Sequence, residues 1–323
     1  MATTARKIPR LTIQRGYNVL LIILFAGLGG CRPRVEPLQP LPDGALAGRV
    51  GSHTDASKVV FAVIGDAGRG NEAQHAVAAA MHEVCRDRRC DFAVAVGDNM
   101  YTFGVNGVDD PDFREQFEEP YAAFGRFDFW LVLGNHDWMG RAQPQIDYTL
   151  ESPRWRMPHS FYAIPNLPDW LTLFGLDSTA VGQAPELERL QLQAAQDALC
   201  GASGWQILFA HHPAHSSGSH GGSEGMRTYI EPLVACGLDV FLAGHDHHQE
   251  LIRTDDYVQV VQGAGSELRD VSQGGPQQRF AASKLGFSIV AVTPETLKID
   301  FYDTSGQRLH RASLESRPRD MGR

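Results

Sequence analysis

The sequence has no hydrophobic run long enough to span a bilayer comfortably, no excess of basic residues, few cysteines and no internal repeat. Its longest apolar stretch, Val19 to about Gly30, falls short of the roughly 20 residues that a spanning helix requires. Lys and Arg number 29 against 38 Asp and Glu, so nothing in the charge favours tracking a nucleic-acid backbone. Of five cysteines, Cys85, Cys90, Cys200 and Cys236 are not spaced as a zinc knuckle. With no repeat and no second core boundary, the 323 residues point to one catalytic-size domain with ample core.

What is present begins with Arg6, Lys7, Arg10 and Arg15 and no acid before residue 30, followed by the apolar stretch, which has the shape of a signal-peptide core. Leu28-Gly29-Gly30-Cys31 resembles a bacterial lipobox, with Cys31 as the lipidated first residue of the mature chain. The alternative is an ordinary signal or anchor in which Cys31 is incidental. Removal of residues 1–30 leaves 25 basic and 38 acidic residues, a formal charge of −13. An even number of remaining cysteines in an exported chain fits disulfides, with Cys85–Cys90 the favoured local pair among three possible connectivities. Residues 31–57, with Pro33, Pro37, Pro40 and Pro42, read as a tether; 58–315 is the domain and 316–323 a tail.

From Val59 the chain alternates strand and helix. Apolar runs at 59–65, 92–97, 129–133, 205–210 and 238–243 read as buried parallel strands, with helices near 72–85, 111–124, 186–199 and 226–235 between them. Short strands near 259–262, 287–292, 296–302 and Leu309 follow, and 138–187 is irregular and aromatic. The expected fold is α/β: a four-layer α/β/β/α sandwich with two mixed sheets. Open α/β sheets keep their chemistry at the carboxyl ends of their strands. Here those ends deliver Asp66, then Asp98 with Tyr101, then Asn135-His136-Asp137, then His211-His212, then His245-Asp246-His247.

These are metal-ligand types. Two carboxylates, a phenol, an amide oxygen and three imidazoles suit two transition-metal ions sharing a carboxylate, roughly 3.5 to 4 Å apart, as in two-metal hydrolysis of phosphate esters. Asp98, at the central strand end, is the natural bridge. An unperturbed phenol has a pKa near 10, so a coordinating Tyr101 requires a strong Lewis acid, for which Fe(III) is the candidate. An aromatic packed beneath the loop is the alternative reading of Tyr101.

The blocks Gly65-Asp66-Ala67-Gly68, Gly97-Asp98-Asn99-Met100-Tyr101, Gly134-Asn135-His136-Asp137, Ala210-His211-His212-Pro213 and Gly244-His245-Asp246-His247 resemble the five-block signature of calcineurin-type metallophosphoesterases. Tyr101 and the spacing from His211 to His220 resemble the purple acid phosphatases, particularly the small tartrate-resistant type. The resemblance implies Fe(III) bound by Asp66, Asp98, Tyr101 and His247, and a divalent ion (Fe, Zn or Mn) bound by Asp98, Asn135, His211 and His245. It implies His136 and His220 as outer histidines, with Asp137 orienting His136 by accepting its second ring proton.

Two departures are visible. Ala67 stands where the family often has a bulky aromatic, and Ala-His-His-Pro replaces Gly-His-Tyr-Pro, which leaves open whether His212 or nearby His215 lines the pocket. Arg141, Arg154 and Arg156 are candidates for leaving-group contacts, while His75, His82, His159 and His248 receive no role. The implied reaction is acid phosphatase hydrolysis of small phosphomonoesters: a metal-bound hydroxide attacks phosphorus, and a histidine protonates the leaving alkoxide. Phosphodiesterase or nucleotidase activity on the same scaffold is the enzymatic alternative. A non-catalytic envelope lipoprotein is the alternative outside enzymes. Partners are then small phosphomonoesters and, through Cys31, a membrane, with no nucleic acid and a periplasmic or cell-envelope location.

Overall fold

The computed structural model describes residues 35–316, and within them the apolar runs become two seven-stranded sheets. Cys31, the expected signal peptide and the tail beyond 316 lie outside the described residues. In chain order the strands are β1 Val59–Ile64, β2 Phe92–Ala95, β3 Phe129–Leu131, β4 Trp155–Arg156, β5 Tyr162–Ala163, β6 Leu171–Gly175 and β7 Trp205–Phe209. They continue as β8 Val240–Ala243, β9 Gln249–Arg253, β10 Val258–Gln262, β11 Gln278–Ala282, β12 Gly286–Val292, β13 Thr296–Asp303 and β14 Arg308–Glu315.

The first sheet has the order β14-β13-β12-β1-β2-β3-β4, the second β11-β9-β10-β8-β7-β6-β5. In the first, the parallel run β1-β2-β3-β4 ends the sheet on one side and meets antiparallel β12 on the other; in the second, the parallel run β10-β8-β7-β6 is flanked by antiparallel β9 and β5. Every residue of β1, β2, β7 and β8 is buried, which is why these strands read as unbroken apolar runs rather than as alternating ones. One apolar core lies between the sheets, joining Phe61, Val94 and Leu131 to Ile207, Leu242 and Val260. A second joins Leu208, Phe241 and Ala243 to Leu199 and Leu233 of the helices Pro185–Leu199 and Glu224–Ala235 on the outer face. The helix Glu72–Arg88 begins with Asn71 accepting from the Gln74 amide and ends at Arg89 in left-handed backbone; it buries Val77, Met81 and Cys85 against the first sheet. These layers are the expected sandwich.

Several elements differ from expectation. The stretch 111–124 forms short turns, Pro111–Phe113, Arg114–Glu118 and Ala122–Phe124, instead of one helix. Strands β4, β5, β6, β9 and β11 were not evident in the sequence; β4, β5 and β6 hide in the irregular segment because none is longer than five residues. The Pro-rich segment corrects the tether expectation for residues 35–57. Leu38 is buried, the Leu41 amide donates to Pro158 O at 2.8 Å, and the His53 amide donates to Asn166 O at 2.8 Å. This part of the chain is strapped onto the domain. Both cysteine pairs are disulfides: Cys85–Cys90, as favoured, and Cys200–Cys236, which ties the ends of the two outer-face helices.

Candidate metal centre

The loops after β1, β2, β3, β7 and β8 meet in one crevice. Asp66, Asp98 and His245 stand there in left-handed backbone, with φ of 55°, 52° and 69°. Non-glycine residues adopt this region at a cost of order 1–3 kcal/mol, so the surroundings must hold them in it. They do so with hydrogen bonds: the His245 amide donates to Asp66 Oδ2 and the His136 amide to Asp98 Oδ1, both at 2.9 Å. Gly134 is required by this closeness, since a Cβ there would lie 2.2 Å from Asp98 Oδ1 and 2.4 Å from Asp98 N.

The remaining donor atoms turn toward each other. Tyr101 donates its O–H to Asp98 Oδ2 at 2.8 Å, with Asp66 Oδ1 at 3.1 Å and His247 Nε2 at 3.2 Å from the same phenol oxygen. In the second group, His211 Nδ1 donates to Val96 O at 2.9 Å, which turns Nε2 inward. That Nε2 lies 3.1 Å from Asn135 Oδ1, 3.2 Å from His245 Nδ1 and 3.4 Å from Asp98 Oδ2. Asp98 Oδ2 therefore belongs to both groups, as expected of a bridge.

Both groups are rich in lone pairs and poor in protons. On the Tyr101 side, two carboxylate oxygens, a phenol oxygen and His247 Nε2 share a single O–H. Separations near 3 Å are those of neighbouring donors around one ion at ordinary metal–ligand distances of about 2.0–2.2 Å. The residues thus fit two metal ions. Electrostatics agree: burial opposes charge on Asp98, but the adjacent His211 outweighs it and holds the carboxyl well below its usual range. Burial lowers His211 while Asp98 and Asp66 raise it, the net result being about 10. A proton on His211 thus takes the place of a cation. Burial, then Asp66 and Asp98, push the Tyr101 phenol up, and a bound cation would reverse that.

Around this centre the expected outer residues divide. His136 packs its ring 4.4 Å from that of Tyr101 and donates Nδ1–H to Thr102 O at 2.7 Å. Asp137 does not orient it, which corrects the expectation. Its buried carboxylate accepts from the amides of Asn99, Met100 and Gly134 and from Gln145 Nε2, at 3.1, 3.1, 2.7 and 2.9 Å. Asp137 therefore builds the loop that carries Asp98 and Tyr101. His220 places its ring 4.5 Å from His245, and the Arg269 guanidinium donates to its Nε2. His212 also reaches the centre, 4.5 Å from the His245 ring, with Nδ1 paired to Ser178 Oγ at 2.8 Å. Burial and the neighbouring His211 drive its pKa down to about 3.

The other candidates lie elsewhere. His215 lies against Tyr257, His159 against Phe161, and His248 is buried against Glu250. Arg154 and Arg156 are structural rather than substrate-facing: they pair with Glu118 at 2.9 Å and Asp128 at 2.8 Å. The exposed Arg141 guanidinium donates to Asn106 O at 3.5 Å.

The calcineurin-like phosphoesterase family model matches residues 59–249, which contain all seven metal-ligand candidates. Purple acid phosphatase 3 of Arabidopsis thaliana is 31% identical, covering 96% of this chain and 88% of the relative. Tartrate-resistant acid phosphatase type 5 of Rattus norvegicus is 29% identical, covering 82% and 92%. The chain belongs to the purple acid phosphatases. Among solved structures, the Plasmodium inner-membrane-complex anchor GAP50 superposes with a TM-score of 0.73 at 21% identity, covering 82% of this chain and 90% of that one. Yellow lupin purple acid phosphatase gives 0.62 at 14%, covering 82% and 55%. At these identities the superpositions speak for the fold alone. As a purple acid phosphatase, the chain is a dinuclear-metal hydrolase of phosphoesters, and its paired acceptor clusters are the candidate site.

Sequence reasoning assigned no role to four residues of this purple acid phosphatase that touch the centre. Asp246, between the two histidines of its block, accepts from the His220 amide at 2.9 Å and from Ser216 Oγ, fixing the loop that carries His220. Ser178 seats His212. Arg69 and Glu267 lie beside Tyr101 and His247. Only Asp246 carried a sequence signal, its place inside a motif.

Proposed function

We propose that Asp66, Asp98, Tyr101 and His247 hold Fe(III), that Asp98, Asn135, His211 and His245 hold divalent Fe, Zn or Mn, and that the enzyme hydrolyses small phosphomonoesters. The observation that carries this is Asp98 Oδ2, 2.8 Å from Tyr101 Oη and 3.4 Å from His211 Nε2, at the junction of the two clusters. Three anionic oxygens on the first side suit a trivalent ion; one carboxylate, an amide and two imidazoles suit a divalent one. When bound, such ions supply Lewis acidity toward phosphoryl oxygens and acidify water.

The chain's own groups do the rest. His136, with Nδ1–H committed to Thr102 O, presents Nε2 to substrate. His220 is the proton donor to the leaving alkoxide, held at the crevice by the Asp246 carboxylate. Burial and then Arg269, whose guanidinium occupies Nε2, lower its pKa below the ordinary 6.5, so the imidazolium forms only when that contact gives way. Only imidazolium donates, and its fraction falls tenfold per pH unit above the pKa, so activity on poor leaving groups is greatest on the acid side. The test compares His220→Ala with wild type on monoesters of good and poor leaving groups, and wild type on a matched diester. The reading expects a larger kcat loss on the poor leaving group and a slower diester; equal losses, or a faster diester, contradict it.

The location we infer is exported, periplasmic or cell-envelope, with lipid on Cys31. Two disulfides favour an oxidising compartment, and the lipobox-like Leu28–Cys31 supports the anchor. The charge of −9 argues against a nucleic-acid partner. Cys31→Ser should move the protein from the membrane to the soluble fraction; unchanged membrane partition would refute the lipid.

A further inference from the structure

Two residues outside the ligand set converge on the Tyr101 side of the centre. The Arg69 guanidinium lies over the Tyr101 ring, its carbon 4.1 Å from the ring centroid. Arg69 Nη2 donates to Glu267 Oε2 at 2.5 Å, and the same oxygen lies at ion-pair distance, 3.2 Å, from the buried His247 Nδ1, which has no hydrogen-bond partner among the described residues. One carboxylate oxygen thus joins the cation above the phenol to the outer nitrogen of the histidine. The pair is 28% and 44% exposed, and an ion pair so exposed contributes little to stability, so its value lies in what it touches.

The two turns that carry these side chains are laced together. The Gly265 amide donates to Gly65 O at 3.1 Å, Asn71 Nδ2 donates to Ser266 O at 3.0 Å, and Ser266 Oγ donates to Asp66 O at 2.5 Å. Arg69 is further fixed by its amide donating to Gln74 Oε1 at 3.1 Å. The backbone therefore holds Glu267 in register with His247 and Arg69 in register with Tyr101.

We propose that Arg69 and Glu267 are positioning residues for the Tyr101–His247 half of the centre: Glu267 holds His247 with Nε2 turned inward, and Arg69 sets how strongly the Tyr101 oxygen donates electrons. A carboxylate accepting the outer N–H of a ligating imidazole fixes its tautomer and orientation, and loss of such a partner typically costs about 10–100-fold in metal affinity. A cation on the face of an aromatic ring is attracted to its electrons and stabilises them. Removing it raises the filled orbitals of a Tyr101 phenolate and lowers the energy of charge transfer to iron.

This inference rests on Tyr101 and His247 holding iron, and the experiment separates the two. Oxidised, iron-loaded wild type, Arg69→Leu, Arg69→Lys, Glu267→Ala and Glu267→Gln are compared by visible absorption and by iron retained after dialysis against a graded chelator. Arg69→Leu should move the visible band to longer wavelength, with Arg69→Lys, which keeps a cation, restoring most of it. Glu267→Ala should weaken iron retention about 10–100-fold, with Glu267→Gln, which keeps an acceptor, restoring part. A coloured wild type whose variants keep both band and retention overturns this assignment alone. A wild type with no Tyr101-dependent band overturns the reading of the centre and this assignment with it.

Discussion

Replacing Asp137 by Ala tests how the loop holding Asp98 and Tyr101 is built. The carboxylate is fully buried and accepts from the amides of Asn99, Met100 and Gly134 and from Gln145 Nε2. Truncation leaves four donors without an acceptor, each costing about 1–3 kcal/mol when buried. Water entering the vacated space recovers part of this, so the expected loss is about 3–5 kcal/mol, near the upper end for single substitutions. For a domain of this size, that lowers Tm by on the order of 10 °C. Two of the amides lie in the turn from Asp98 to Tyr101 and the third, that of Gly134, precedes Asn135, so the candidate ligands shift as well, and misplacement of about 1 Å costs roughly 100-fold in rate. The assay is urea unfolding at pH 8 together with kcat under saturating metal on aryl and alkyl phosphates. An unfolding free energy within about 1 kcal/mol of wild type would refute the reasoning. So would a rate loss confined to poor leaving groups, the pattern expected if Asp137 served His136.

Metal loading should release protons. At pH 7 the metal-free centre holds one on Tyr101 and one on His211, whose pKa burial, Asp98 and Asp66 together bring to about 10. Filling both sites should expel about two protons, and filling only the His211 side about one, so apparent affinity rises with pH below that value. Weakly buffered titration of metal-free protein with an indicator dye checks this, and uptake without proton release contradicts it. The disulfides should differ in weight: Cys200–Cys236, with a separation of 36, should contribute about 4 kcal/mol, and Cys85–Cys90, with a separation of 5, about 2 kcal/mol, by loop-closure entropy. Double Cys→Ser variants compared by urea midpoint should show the larger loss for Cys200–Cys236; the reverse order refutes the entropic account.

Much of the centre was legible in the sequence because its ligands end buried parallel strands, and such strands announce themselves as unbroken apolar runs such as Val59–Ile64 and Trp205–Phe209. The chemistry of those endings then pointed to a pair of metal ions. What stayed hidden depends on contacts between distant residues. Glu267 meets Arg69 across 198 positions, and nothing local to either marks it. Asp137 looked like a partner for its neighbour His136, yet its carboxylate turns to backbone amides, which leave no trace in side-chain pattern. Arg154 and Arg156 resembled loop arginines and proved to be buried partners of Glu118 and Asp128. The segment 35–57 has the proline content of a linker, but a few anchors such as Leu38 and the Leu41 amide dock it.

The most direct test of the account is the visible spectrum of the purified, oxidised protein beside Tyr101→Phe, with metal content measured on the same samples. The account predicts about two metal ions per chain, iron among them, and a visible charge-transfer band that Tyr101→Phe abolishes. A colourless wild type holding two ions after full oxidation, or colour that survives Tyr101→Phe, would contradict the assignment of Tyr101 to Fe(III).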